Sequence, residues 1–308
     1  MYTSFDPAPA GENGTSLTTT SLSSSGVDFE VPLPVDIVDM PLPGDTDAAT
    51  VAADDSSTAA APAVRGSYLN DQETIRFSLL LLQDGARMLE SVERYTAAFH
   101  KQERINGDMT EAQSIDLKIQ HSPHFAVYMK WRNFDKGRQV LYSDEYEDGN
   151  MVVKLGGLKG RFIPAVKLNP LSGQAMAESR HPITQAGILG MLKEMIVHRQ
   201  NDLKHGHGMK CTRLPNQEFD ERDCYCFLYE YDSPEFSELY RKSVVLIDTR
   251  RNIPMLVRNY TWAVESEGLS TEELDKLTLI ENYSFTEVDF DRELVATDFS
   301  RENPKYRM

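Results

Sequence analysis

The chain has 308 residues, 32 Lys and Arg against 48 Asp and Glu, and a formal net charge of −16. That acidic balance, with no basic stripe to neutralise phosphates, argues against a nucleic-acid partner. Three cysteines, Cys211, Cys224 and Cys226, are too few and too odd a set for a disulfide framework.

Residues 1–66 hold ten acidic residues against the single base Arg65, hence about −9 of the total charge. Stretches such as TSLTTTSLSSSG and DDSSTAAAPA offer little apolar surface to offset the entropy of ordering. A disordered acidic Ser/Thr/Ala/Pro-rich leader is expected there, followed by one folded domain over 67–308. The opening MYTSFDPAPAGENG has neither the basic n-region nor the apolar h-region of an export signal. Read from Met1, the chain is therefore expected to be soluble and not exported, unless the true start lies upstream. No apolar run approaches the roughly 18 residues of a spanning helix; the longest candidate, FSLLLLQDGARML, is broken by Asp84, Gly85 and Arg87.

From Asn70 to about Arg94, Ile75, Leu79, Leu82, Ala86 and Leu89 recur at steps of three and four, one apolar stripe of a helix that Asn70 or Asp71 can cap. The period then changes to two. Ile115, Leu117 and Ile119 share a face opposite Asp116, Lys118 and Gln120, and Phe125, Val127, Met129 and Trp131 share one opposite Tyr128, Lys130 and Arg132. With NGD and HSPH as turns, this predicts an antiparallel meander with one buried face. Shorter strands are expected in RQVLYSD, NMVVKL and AVKLNP. A second helix is predicted from about Thr184 to Leu203, with Ile188, Leu192, Met195, Ile196 and Leu203 on its inner side. Long strands return in RDCYCFLYEYD, RKSVVLIDTR, IPMLVRNYTWA and KLTLIENYSFTEVDF. CYCFLYEY is apolar on both faces, which predicts a central strand covered on each side. The sum is an α+β arrangement, a long antiparallel sheet with two main helices, and not the parallel βαβ alternation common to nucleotide enzymes.

Few motifs carry chemistry. Cys224 and Cys226 lie two apart on a strand, a spacing unlike a zinc knuckle, and read as small buried hydrophobes. DEYEDGN has Tyr146 and Leu155 where a calcium loop needs ligands, so a hairpin turn through Asp148, Gly149 and Asn150 is expected. GGLKGR lacks the phosphate-loop order and reads as a loop. No G-x-S-x-G or H-E-x-x-H occurs, and no cofactor, metal or catalytic residue is expected. In AESRHPITQAGI, Pro182 discourages helix at His181, and Thr184 is a good N-cap. Arg180 and His181 then stand outside the positive end of a helix. Two readings stay open: an internal salt bridge from Arg180, or a hold on an anionic head group.

YTAAFHKQERINGDM, PHFAVYMKW, GRQVLYSD, SRHPITQAGI, RDCYCF, IPMLVRNYTW and LIENYSFTEVDFDRELVATDFSRENPKYRM together resemble the bacterial proteins grouped as domain-of-unknown-function family 1571, over about residues 70–308. That resemblance implies kinship with LolA/LolB-like lipoprotein carriers, found mainly in planctomycetes and other Gram-negative-type bacteria. It implies an incomplete antiparallel β-barrel closed by helices around an apolar cavity. It also implies a role in holding an acyl chain or other hydrophobic ligand in the cell envelope. Relatives carry an export signal, which the chain as written does not show. The first functional reading is thus a non-enzymatic carrier of a lipid-like ligand or lipoprotein acyl chain, with Arg180, His181, Thr184 and Trp131 as binding residues. The rival is a structural or partner-binding module whose core is packed solid.

Overall fold

The computed structural model describes residues 69–306 and Met308; the leader expected over 1–66 lies outside the described residues. Helix α1 (Asp71–Glu90) starts at Asn70. The Asn70 side chain accepts from the Glu73 backbone N–H, and the Glu73 carboxylate accepts from the Asn70 N–H, each at 2.9 Å. This reciprocal cap settles the choice between Asn70 and Asp71. Ile75, Leu82, Ala86 and Leu89 are buried as the period requires, while Leu79 is only half-buried. Gly85, at the centre of the stripe, lies so near the Asn252 carbonyl that a Cβ would sit 2.1 Å from its oxygen.

The strands are β1 (Arg94–Ile105), β2 (Asp108–Met109), β3 (Gln113–Gln120), β4 (Ala126–Trp131), β5 (Gln139–Ser143), β6 (Met151–Lys154) and β7 (Val166–Leu168). They continue as β8 (Met209–Phe219), β9 (Arg222–Tyr231), β10 (Lys242–Asp248), β11 (Pro254–Tyr260) and β12 (Leu279–Asp289). Among the described residues they form one 12-stranded sheet, ordered β7-β6-β5-β4-β3-β1-β12-β11-β10-β9-β8, with β2 on β1. Every pairing is antiparallel. The last strand, β12, is inserted between β1 and β11 and joins the two meanders. Edges β7 and β8 remain unpaired with each other, so the sheet is open and not a closed barrel.

Two of the helices are single turns, α2 (Lys159–Phe162) and α3 (Gly173–Met176); α4 (Ile188–His205) packs on α1, and α5 (Thr271–Thr278) precedes β12. No helix among the described residues is long and apolar enough to cross a membrane.

Three expectations need correction. The second helix does not begin at Thr184. Ile183–Gln185 is a separate 3₁₀ turn, and α4 starts after Gly187, whose φ of +91° breaks the backbone. The Tyr95 hydroxyl replaces a side-chain cap by accepting from the Ile188 N–H at 2.9 Å. A Cβ on Gly187 would come within 2.7 Å of that hydroxyl, so the residue that lets Tyr95 cap the helix must be glycine.

The strand carrying CYCFLYEY, β9, is not central: only β8 lies outside it. Its Cys224, Cys226, Phe227 and Tyr229 are nonetheless fully buried, and Phe77 of α1 packs edge-on against Tyr225, with ring centroids 5.7 Å apart. Tyr128, placed on the polar face by its period, is buried there because Tyr306 of the C-terminal tail stacks on it at 3.9 Å.

Candidate functional site

The inner face of the sheet can be followed strand by strand through its register. Trp131 pairs with Ile115, Ile115 with Phe99, and Phe99 with Phe285. Two residues along, Lys101 pairs with Tyr283, Tyr283 with Val257 and Val257 with Val245. All of these line one cavity of about 820 Å³. Residues of β1, β3, β4, β5, β6, β10, β11 and β12 reach it. Laid flat, eight strands at about 4.8 Å spacing would extend over roughly 34 Å between outer strands, so the sheet must curl around the space. Met191 and Met195 of α4 cover it from the opposite side.

The walls are mainly apolar, but one polar network is built into them. On β12, Glu281 is 1% exposed. It accepts from Arg180 Nε at 2.7 Å, Asn259 Nδ2 at 2.7 Å and the Tyr240 hydroxyl at 3.1 Å, with His181 Nε2 also 3.1 Å away. Across the strand pair, Glu103 of β1 stands opposite Glu281. It accepts from the Tyr283 hydroxyl at 2.6 Å and from Lys101 Nζ at 3.0 Å. Two like charges facing each other across a ladder would be destabilising; here each carboxylate has its own cation.

The charges respond accordingly. Burial alone would push the Glu281 carboxyl up, but the hydrogen bonds and charge of His181, with Asn259 and Arg180, hold it down to about 2. Burial opposes the charged form of His181, and the Glu281 carboxylate overcomes it, so the imidazole is raised above its ordinary value. Burial and the two nearby carboxylates push the Tyr283 phenol up. At the α4 side of the cavity, Arg199 pairs with Asp202 at 2.8 Å and lies 3.7 Å over the Tyr229 ring. The Tyr231 hydroxyl donates to Asp202 at 3.1 Å.

Of the residues singled out in the sequence, Arg180 is engaged in an internal ion pair, and His181 lines the cavity beside the same carboxylate. Trp131 lines it too; its indole N–H donates to Gln113 Oε1 at 2.9 Å, and the Arg138 guanidinium lies 5.0 Å over the ring. Thr184 is exposed and does not line this cavity; it borders a separate depression with His121 and Tyr142. The Arg180-His181-Thr184 grouping at a helix entrance is therefore not formed.

Glu281, Glu103, Lys101, Tyr283, Tyr240 and Asn259 escaped the sequence reading. The available signal was parity: Lys101 and Glu103 continue the inward series of Phe99, and Glu281 precedes Tyr283 and Phe285 on the inner face. A charge at an inward position marks a place where the interior must supply a partner.

The three cysteines are buried, and desolvation pushes each thiol up to about 12, with nearby charges contributing to Cys211 and Cys224. They are protonated near neutrality and poor nucleophiles or metal ligands. No group of three or more His, Cys, Asp or Glu among the described residues is arranged to hold a metal.

The lipoprotein LppX of Mycobacterium tuberculosis superposes with a TM-score of 0.40 at 11% identity, covering 71% of this chain and 98% of LppX. A LolA superfamily protein from Nitrosomonas europaea gives 0.28 at 10% identity, covering 76% and 98%. A DUF1329 family protein from Desulfovibrio piger gives 0.33 at 10%, covering 74% and 98%. No curated protein matches in sequence. The family model for proteins of unknown function DUF1571 matches residues 92–308, which takes in every strand of the sheet and leaves only α1 of the long elements outside. The chain belongs to the DUF1571 family.

Proposed function

We propose that this chain is a non-enzymatic carrier that holds a lipid-like ligand in the cavity of the curled sheet. The carrying observation is the cavity itself: about 820 Å³ with largely apolar walls, within the roughly 300–1,000 Å³ of small-molecule sites. An acyl chain entering it gains about 0.8 kcal/mol for each methylene removed from water. The space also disfavours a solidly packed core as the reason for the fold. One sheet running through the described residues supports reading 67–308 as a single domain.

The polar network supports an uncharged head group. Arg180 is committed to Glu281, Lys101 to Glu103 and Arg199 to Asp202. At the depth of this network, a ligand carboxylate would have to take a cation from a buried acid, at the cost of leaving that acid unpaired; Arg138, nearer the rim, is held instead by the exposed Glu178. A hydroxyl or ester can instead share the donors and acceptors already present. In this proposal His181 and Trp131 touch the ligand, while Arg180 acts through Glu281. With Glu281, Glu103 and Asp202 each held by a cation and the thiols protonated, none of these groups is poised for nucleophilic attack.

Gentle native mass spectrometry of the full-length protein should show co-purified neutral lipid. Hexadecanol should displace the neutral fluorescent probe N-phenylnaphthylamine more effectively than palmitate does. Absence of both bound lipid and probe uptake would overturn the carrier reading; stronger displacement by palmitate would overturn the neutral head group alone.

A further inference from the structure

One segment of this acidic chain has the opposite character. Between Asp148 and Glu178 there is no acidic residue, while Lys154, Lys159, Arg161 and Lys167 supply four positive charges to a chain of net −16. The same stretch carries five of the large hydrophobic side chains left exposed: Leu158, Phe162, Ile163, Val166 and Leu171. Phe162 is 84% exposed and Leu158 72%. Single exposed hydrophobics are ordinary on a protein surface, but five within fourteen positions beside a cluster of bases are not.

Position gives the segment its meaning. Leu155 and Pro170, at either end of it, line the cavity, as do Met176 and Ala177 beyond. The Gly157 N–H donates to the Lys136 carbonyl at 3.0 Å, which ties Leu158 to the turn whose exposed Phe134 lies on the cavity rim. Gly156 packs so closely on that turn that a Cβ would lie 2.1 Å from the Asp135 carbonyl oxygen. The exposed Leu158, Arg161, Phe162, Val166 and Leu171 therefore lie on and beside a segment whose two ends reach the wall of the cavity.

The counter-charges are few. Lys167 is paired with Glu147, the rim acid Glu178 is held by Arg138, and the Asp135 carboxylate lies against Gly156. Arg161 is exposed and has no ion pair among the described residues.

We propose that residues 154–171 form a docking surface for an anionic lipid bilayer. Phe162, Leu158 and Leu171 would enter the headgroup boundary, and Lys154, Arg161 and Lys167 would face the lipid phosphates. Apolar side chains combined with Lys and Arg are what binding to an anionic membrane surface requires. A net charge of −16 would otherwise repel the protein from such a membrane, so the cationic segment also selects which side approaches. Docking there would bring the cavity rim to the bilayer, at the place where a lipid could pass between the two.

The test uses the full-length protein and sedimentation with vesicles of phosphatidylcholine, alone or mixed with phosphatidylglycerol. Wild type should bind the mixed vesicles, much less the neutral ones, and lose binding as salt rises well above about 0.15 M. Leu158→Ser with Phe162→Ser, and separately Lys154→Glu with Arg161→Glu, should each cut partitioning by about tenfold or more with the thermal midpoint unchanged. No binding to mixed vesicles, or binding that both variants retain, would overturn the proposal. A wild type that ignores vesicles but self-associates, with the serine variant monomeric, would assign the patch to a second copy of the chain instead. Uptake of N-phenylnaphthylamine, measured on the same samples, reports on the cavity separately, so loss of docking leaves the carrier reading standing.

Discussion

At the scale of single residues, Glu281 organises the inner wall, and its partners keep some access to water: 28% for the Arg180 side chain and 30% for His181. Breaking a fully buried pair costs about 3–5 kcal/mol. Because these cations are partly hydrated, Glu281→Gln is expected to cost on the order of 3 kcal/mol. At about 2–4 °C per kcal/mol for a domain of this size, calorimetry should find the melting midpoint lowered by roughly 6–12 °C. An unchanged midpoint would show that the network does not stabilise the fold. The pH dependence follows from the same contacts. His181 is raised in the folded state, so its stabilisation is complete below the unfolded value of about 6.5 and is lost as pH rises through the folded value. Glu281, held down to about 2, stabilises above its ordinary value of 4.5 and loses that only as pH falls towards 2. His100, His121 and His198 work the other way, since burial lowers each of them. Subtracting the melting curve of His181→Gln from that of wild type isolates the one histidine. The stability difference should shrink as pH rises above about 6.5, and a difference that grows there would contradict the assignment.

Among the elements, the glycines decide where helices can sit. Ala is normally preferred over Gly inside a helix by about 1 kcal/mol. In α1 the sign should reverse, because a Cβ at residue 85 would lie 2.1 Å from a backbone oxygen, and neither helix nor turn can yield cheaply. Gly85→Ala should therefore destabilise by about 2 kcal/mol or more, readable as a lower denaturation midpoint at unchanged slope. A stabilised variant would mean that α1 sits further from the Asn252 turn. The elements also show where local signals succeed. Asn70 and Glu73 form a cap that the sequence displays openly, and α1 is where its stripe places it. Ser270 and Glu273 display the same cap for α5, but eight residues running directly into β12 leave too little period to separate from the strand pattern. The strand β8 was missed because Pro215 falls within it, and its register with β9 shifts between Leu214 and Gln217. An edge strand tolerates both, and only the sheet order shows that β8 is an edge.

For the molecule as a whole, the property that matters is unfilled volume. Met195 of α4 lines the cavity from the side opposite the sheet. In a packed core, a tryptophan there would be overpacked and cost about 1–3 kcal/mol. With about 820 Å³ of free space in front of it, Met195→Trp should leave the melting midpoint nearly unmoved and weaken N-phenylnaphthylamine binding by about tenfold, a loss of about 1.4 kcal/mol. Lost stability with unchanged probe binding would return the molecule to the packed-module reading.

Periods of 3.6 and 2 are properties of neighbouring residues, and they sufficed to place α1, the meander of β1, β3 and β4, the long C-terminal strands and hence an antiparallel α+β class. Composition alone carries the expectations of a leader over residues 1–66, which lie outside the described residues, and of no nucleic-acid partner. The same local patterns put Arg180 and His181 at a backbone corner, but they could not name the carboxylate that meets them. Glu281 lies about a hundred residues further on, and Tyr283 reaches Glu103 across a separation of 180. Those pairs exist because β12 inserts between β1 and β11, so that Glu103 faces Glu281 and Lys101 faces Tyr283. Strand order is chosen by how all the apolar faces can be buried together, and no window along the chain contains that information. The cavity has the same origin: each strand contributes an inward face, but only the curl of the assembled sheet leaves space between those faces and α4.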